Sequence, residues 1–376
     1  MKKGRQGEAS PHTIRTLWGK AAGRCEYEGC NKLLYQDDVT SEDINRAFVA
    51  HIVAASPGGE RGDEEQSAQL FDDIDNLMLL CHEHHRLIDH ERAAEHGVDR
   101  LRAMKKKHED RIRTLTEIDS SKKSIPITYG ANIGKQRVAI SKKELAEAMV
   151  PDNYPSGTPI NLEHRDSSIY DSTTIYWETE AEQLNQKFLE SIRPLVGKEE
   201  IDSFSVFALA PQPLLVKLGT MLSDLHKVKV YQKHREPDTW KWQALTEPNP
   251  MIIIRPKDTS KTPVLIFSLS AKAISTRVRY RFGNDASIWE VTAEDPNNDM
   301  LRSADQIAEF RKLTRRVLDD INASSQADSI KVFMAMPAAC AVELGRVWMP
   351  KADKALVLFD KNNTVDVNDI ETITIK

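Results

Sequence analysis

Apolar and polar positions sort this chain into two stretches of different rhythm separated by a polar one. In the first, Ser10-Pro11 precedes HTIRTLWGKAAG and predicts a helix opening, because Ser can cap and Pro at the first helical position loses no hydrogen bond. Gly23 ends that helix just before Cys25. The run 47-AFVAHIV-53 predicts a short strand, and the breaker SPGGERGD follows it. A second run, 77-LMLLC-81, leads into CHEHHRLIDHERAAEHG, whose composition suits a helix stopping near Gly97; 98-VDRLRAMKKKHEDRIRTLTEI-118 predicts another.

From Asp119 to about Tyr170 the composition turns to Ser, Lys, Gly and Pro, and residues 119–168 read as a linker. They hold one helix, 141-SKKELAEAM-149, with Ser141 and Glu144 at capping-box spacing. Beyond it, strands at TTIYWE, SVFALA, VLIFSLS, IWEVTA, KVFMAM and ALVLF interleave with helical segments such as EAEQLNQKFLESIRPL and SADQIAEFRKLTRRVLDDI. That alternation predicts an α/β domain with a largely parallel sheet. It also contains a repeat. Val206, Phe207, Pro211, Val216, Leu218 and Gly219 recur 126 residues later as Val332, Phe333, Pro337, Val342, Leu344 and Gly345, so two related halves packed side by side are expected.

Composition adds the class. At 376 residues, 40% hydrophobic and 29% charged, the chain is globular and long enough for two domains. No apolar run approaches the roughly 18 to 20 residues of a membrane span, and the start lacks a signal-peptide core, so a cytoplasmic protein without a membrane partner is expected. A net charge of -5 argues against a protein that coats nucleic acid, although residues 1–31 and 86–115 are mildly cationic.

The chemistry is concentrated early. Three of the four cysteines lie in the first quarter, and seven of the eleven histidines lie between His51 and His108. Cys25 and Cys30 form one close pair and Cys81 and His84 another; two such pairs joined by a long loop are what a tetrahedral structural zinc requires. His85 and Asp89 remain, one helical turn apart, and can approach a second divalent cation such as Mg2+ or Mn2+. His82 falls on another face, as a supporting or surface residue.

Cys25 and Cys30, 50-AHIVAASPGG-59 and 76-NLMLLCHEHH-85 together resemble the HNH nucleases, over about residues 15 to 95. The resemblance implies an α+β domain, residues 1–118, in which two strands and a helix wrap a metal beside a zinc knuckle. It implies His51 as general base, Asn76 as the residue steadying that strand, and His85 as ligand of the catalytic cation. Ala50 departs from the pattern, since many relatives place a metal-binding Asp or His there; Asp89, and after it Asp63, are the candidates for the second ligand.

Residues 169–376 resemble the SAVED domain, two fused CARF-like (Rossmann-like) halves, through 206-VFALAPQPLLVKLG-219, 230-VYQKHREPDTWKW-242, 264-VLIFSLSAKAI-274 and 333-FMAMPAACAVELGRVWMP-350. HNH followed by SAVED is the order of effectors in the cyclic-oligonucleotide anti-phage systems called CBASS. This implies a double-stranded DNA endonuclease switched on by a cyclic di- or trinucleotide, working as a homodimer or higher assembly. Helix starts near Pro211 and Pro337 would face phosphates. The cations and flat faces a nucleotide needs are available in Lys233, Arg235, Trp240, Lys241 and Trp242, in Arg277, Arg279 and Arg281 alternating along a possible strand, and in Gln212 for a base edge. Two rivals are a stand-alone restriction-type nuclease whose second half reads DNA, and a zinc-stabilised DNA-binding module that does not cut.

Overall fold

The computed structural model describes residues 9–37, 40, 42–117, 119–133, 140–163, 171, 173–196, 203–223, 227–244, 249–272, 274–361 and 369–376. Two compact units divide the chain, Met1–Ile118 and Asp119–Lys376. Among the described residues no helix is long and apolar enough to cross a membrane.

In the first unit α1 (Pro11–Lys20) is capped by Ser10, whose Oγ accepts from Thr13 N at 3.2 Å. After it come β1 (Phe48–His51), α2 (Gln66–Leu70), β2 (Leu77–Leu80), α3 (His82–Arg86) and α4 (Val98–Thr116). β1 and β2 pair antiparallel with His51 opposite Leu77. Leu77, Met78, Leu79 and Leu80 are all buried, because α1 covers one face of this two-stranded ribbon and the cysteine loop backs it. The helix expected to run to Gly97 is broken: it widens to a π-turn at Leu87–Glu91 and ends in a 3-10 turn at Ala93–Glu95.

The second unit holds β3 (Lys123–Gly130), α5 (Lys142–Met149), β4 (Tyr154–Pro155), β5 (Ile160–Asn161), α6 (Thr174–Ser191), β6 (Phe204–Leu209), α7 (Gln212–Leu222), β7 (Val228–Tyr231), β8 (Met251–Ile254), β9 (Thr262–Ser268), α8 (Ile274–Phe282), β10 (Ala286–Ala293), α9 (Ala304–Ser324), β11 (Ser329–Ala335), α10 (Ala338–Val347), β12 (Ala355–Lys361) and β13 (Asp369–Ile375). They form two sheets. One runs β13-β12-β11-β9-β10-β8, parallel through its four central strands with antiparallel edges; the other runs β4-β3-β6-β7, with β5 also on β3, all parallel.

The repeat marks where the two halves meet. β6-α7 and β11-α10 are the repeated units, and α7 packs on α10 at the two repeated glycines. A Cβ on Gly219 would lie 2.0 Å from Val342 O, and one on Gly345 would lie 2.0 Å from Val216 O. The clash is reciprocal, so both positions need Gly for the same reason, the close approach of two backbones. Gly219→Ala should therefore force the helices apart at a cost of roughly 3 kcal/mol. A drop of roughly 6–12 °C in the melting of this unit is expected; an unchanged melting curve would contradict the crossing.

Three expectations need correction. Residues 119–168 are not a linker throughout, because β3 lies inside a sheet, where Ile127 and Tyr129 are buried; its Lys, Ser and Pro disguised the alternation with Ile125, Ile127 and Tyr129. TTIYWE is no strand: its last residues open α6, since Tyr176, Trp177, Glu180, Leu184 and Phe188 line one buried helical face. Arg277, Arg279 and Arg281 lie on α8, where Arg277 and Arg281, one turn apart, both reach Asp369 and Arg279 is exposed. Ser141 does begin α5, though without a side-chain cap bond.

Candidate metal centre and ligand cradle

The cysteine loop folds on itself. Cys30 N donates to Tyr27 O at 3.0 Å and Cys25 N to Lys32 O at 3.0 Å, with Gly29 at φ +83° making the turn between the two thiols. β2 delivers Cys81 and the first turn of α3 delivers His84. The ligand atoms of Cys25, Cys30, Cys81 and His84 all lie within 4.8 Å of one another. Three thiols and an imidazole gathered this closely fit a tetrahedral zinc ion. His84 is held for the purpose. Tyr27 stacks on it at 4.0 Å, Tyr27 Oη lies 3.0 Å from His96 Nε2, and His96 Nδ1 donates to Arg92 O at 2.8 Å.

Glu26 ties this loop to the ribbon. Its backbone N donates to Leu79 O at 2.9 Å, and its Oε2 accepts from Leu79 N at 2.6 Å, so it continues the sheet for one residue. Burial pushes its carboxyl up to about 7, which the nearby Lys105 only partly offsets. Between pH ~4.5 and ~7 the unfolded chain loses this proton while the folded chain keeps it. Stability of the first unit then falls as pH rises across that window, by up to about 3 kcal/mol. Glu26→Gln should remove that decline, measured as the difference between variant and wild-type melting from pH 5 to 8, in which the zinc contribution cancels. A constant difference would contradict it.

His51 ends β1 opposite Leu77, and the rings of His82 and His85 lie beside Phe48 at the start of that strand. His51 Nε2 lies 2.9 Å from Phe71 O. A carbonyl only accepts, so the nitrogen facing Phe71 is a protonated Nε2, and in the neutral ring Nδ1 is the acceptor. Asn76 is buried and staples the chain leaving β1: its Oδ1 accepts from Val53 N at 2.8 Å, and its Nδ2 donates to Val53 O at 2.9 Å and Leu70 O at 3.1 Å. His85 Nε2 stands 3.3 Å from Asp89 Oδ2. Burial holds the His85 imidazole below its ordinary pKa, against the opposing pull of Asp89. Asp63 is committed elsewhere, its Oδ1 accepting from Glu65 N and Gln66 N at the start of α2. His82 is exposed, its ring 5.3 Å from that of Phe48.

One residue unnoticed in the sequence joins these groups. Arg61 donates from Nη2 to both His51 O (3.3 Å) and Asp89 Oδ1 (2.6 Å). The signal was present only as an arginine inside a glycine-rich breaker.

In the second unit the expected ligand residues are not gathered into one contact set. Gln212 starts α7, with Nε2 donating to Met336 O at 3.1 Å and Oε1 buried without a hydrogen-bond partner. Lys233 pairs with Glu144 (3.1 Å) and Asp238 (2.7 Å) and lies 5.9 Å from the Trp240 ring centroid. Trp240 itself is buried edge-on against Phe207, so packing and not ligand stacking explains it. Trp242 is half-buried, Arg235 and Lys241 are exposed, and Arg277 is engaged with Asp369. Polar residues that the sequence did not single out lie at the carboxyl ends of the strands. Gln232 Oε1 accepts from Ala339 N, in the first turn of α10, at 3.0 Å. Ser268 Oγ and both ring nitrogens of His234 are buried with no hydrogen-bond partner. Buried orphans of this kind call for a partner such as water or a ligand.

Residues 184–368 match the family model described as SAVED, the SMODS-associated and fused to various effectors sensor domain. No curated protein matches the chain. Among solved structures, the Acinetobacter baumannii Cap4 SAVED/CARF-domain containing receptor with the cyclic trinucleotide 2'3'3'-cAAA aligns at 14% identity and TM-score 0.41, over 83% of this chain and 66% of that one. The same receptor with 3'3'3'-cAAA aligns at 12% and 0.40, over 74% and 60%. The Moraxella osloensis Cap4 SAVED/CARF-domain containing receptor aligns at 10% and 0.34, over 67% and 50%. This chain thus spans less than two thirds of these receptors' length. The C-terminal part of the chain, by its match over residues 184–368, is a SAVED domain.

Proposed function

We propose that the chain is an effector of cyclic-oligonucleotide anti-phage defence: an HNH-type endonuclease that cuts double-stranded DNA when its SAVED domain binds a cyclic di- or trinucleotide. The nuclease reading is carried by one observation. A single guanidinium nitrogen, Arg61 Nη2, bonds both the main-chain carbonyl of His51 and Asp89 Oδ1, which ties the strand that carries the candidate base to the turn that carries a candidate cation ligand.

Phosphodiester hydrolysis needs water deprotonated near neutral pH and charge neutralised on the phosphate. His51 Nδ1 is the atom free to take the proton, because Nε2–H is spent on Phe71 O. Asn76 fixes the backbone that presents this ring, through both amide atoms. His85 and Asp89 Oδ2 would hold a Mg2+ or Mn2+ ion, which when bound supplies charge neutralisation on the phosphate and leaving oxygen. Cys25, Cys30, Cys81 and His84 would hold zinc apart from this chemistry. On the sensing side, Gln212 Oε1 and Ser268 Oγ, at the carboxyl ends of β6 and β9, offer unspent polar atoms to a nucleotide. One such nuclease site cuts one strand, so double-strand breaks call for paired copies.

Purified chain incubated with supercoiled plasmid, Mn2+ and a panel of cyclic di- and trinucleotides tests the reading. Conversion to nicked and linear DNA is expected. No cutting under any condition would leave a zinc-stabilised binding module.

A further inference from the structure

We propose that Arg61 is a positioning residue for the candidate nuclease, a clamp that sets the separation between the His51 strand and the His85–Asp89 turn and leaves Asp89 Oδ2 alone to face the cation. This rests on the nuclease reading above.

Several features of the fold converge on this side chain. Arg61 has φ +63°, a left-handed backbone that non-glycine residues rarely adopt. Such strain persists where the surroundings over-determine it. The loop that delivers it is tight: Gly59 N donates to Ser56 O at 3.0 Å and Gly62 N to Gly59 O at 2.9 Å. A Cβ on Gly62 would lie 2.3 Å from Pro57 O, so the glycine after Arg61 is obligatory. The Arg61 side chain is only 7% exposed, and each of its three guanidinium nitrogens is used: Nε donates to Ile52 O (2.9 Å), Nη1 to Ile88 O (2.6 Å), and Nη2 to His51 O and Asp89 Oδ1.

The helix is deformed to receive it. An α-helical bond would run from Arg92 N to Ile88 O, but Arg92 N donates to Leu87 O instead, at 2.9 Å. The π-turn at Leu87–Glu91 therefore releases the Ile88 carbonyl that Arg61 takes. A left-handed arginine and a widened helical turn answer each other across the site. Lysine offers one donor centre in place of this fork and can hold only one side of the gap.

The test uses full-length, zinc-replete protein as wild type, Arg61→Ala and Arg61→Lys. Three quantities are read: zinc content, Mn2+ affinity from the paramagnetic signal of free Mn2+, and cleavage of supercoiled plasmid with the same panel of cyclic di- and trinucleotides. Arg61→Ala is expected to keep its zinc, to bind Mn2+ about tenfold more weakly, and to cut about 100-fold more slowly. Millimolar guanidinium, but not equal NaCl, should restore part of the rate to Arg61→Ala. Arg61→Lys should fold like wild type yet lose most of the rate. Wild type that cuts beside an Arg61→Ala variant with unchanged rate and Mn2+ affinity overturns the clamp alone. Loss of zinc from both variants makes the residue structural and overturns the positioning role. Wild type that neither binds Mn2+ nor cuts overturns the nuclease reading, and this proposal with it.

Discussion

Replacing His51 by Ala is expected to reduce DNA cleavage by about 10²–10⁴-fold, the range a positioned general base supplies. Folding should be nearly untouched. The described ring makes one hydrogen bond, to Phe71 O, and that bond contributes about 1 kcal/mol. Zinc content should not change, because His51 is not among the four clustered ligands. Plasmid cleavage under single-turnover conditions, read beside zinc content and melting temperature, separates the cases. A variant that cuts near the wild-type rate removes His51 from the chemistry, and one that loses zinc or melts early makes the residue structural.

The second large effect concerns the metal that holds the fold. The first unit is small, and its core is one ribbon, α1 and part of α4, with buried Cys25 and Cys81 packed into it. Zinc-finger-type binding contributes on the order of 10 kcal/mol to folding. Removing zinc, or replacing Cys25 by Ser, should therefore unfold residues up to about Ile118 and leave the second unit intact. Trp18 is the one tryptophan in that stretch and packs against its core, so a red shift of its emission reports the event. Retention of the Trp18 environment after complete chelation would mean that zinc is not the staple.

The sequence disclosed some of this and concealed the rest for physical reasons. Ligand spacing at Cys25, Cys30, Cys81 and His84 was legible because short gaps and residue types fix which atoms can meet. The repeat was legible in its paired prolines and glycines, and the reciprocal backbone contacts at Gly219 and Gly345 explain why glycine had to recur. β3 was hidden because Lys123, Ser124 and Pro126 dilute its alternation, and pairing with β6, some eighty residues away, makes it a strand. α8 was misread because arginines two apart mimic a strand, and only Asp369 reveals that Arg277 and Arg281 share a helical face. Trp240 looked like a stacking platform, yet a tryptophan beside Phe207 and Tyr231 is core. Arg61 was illegible for a different reason: its role depends on a left-handed backbone and on a carbonyl released by a π-turn, and neither leaves a periodic trace.

In the proposed function, occupancy of the SAVED domain governs cutting by the first unit. The most direct measurement of this control is the rate of double-strand cleavage by full-length, zinc-replete protein in Mn2+, with and without each cyclic di- and trinucleotide. Cleavage that rises with one nucleotide and is lost in His51→Ala is expected. Cleavage at the same rate without any nucleotide would contradict it and favour a stand-alone nuclease.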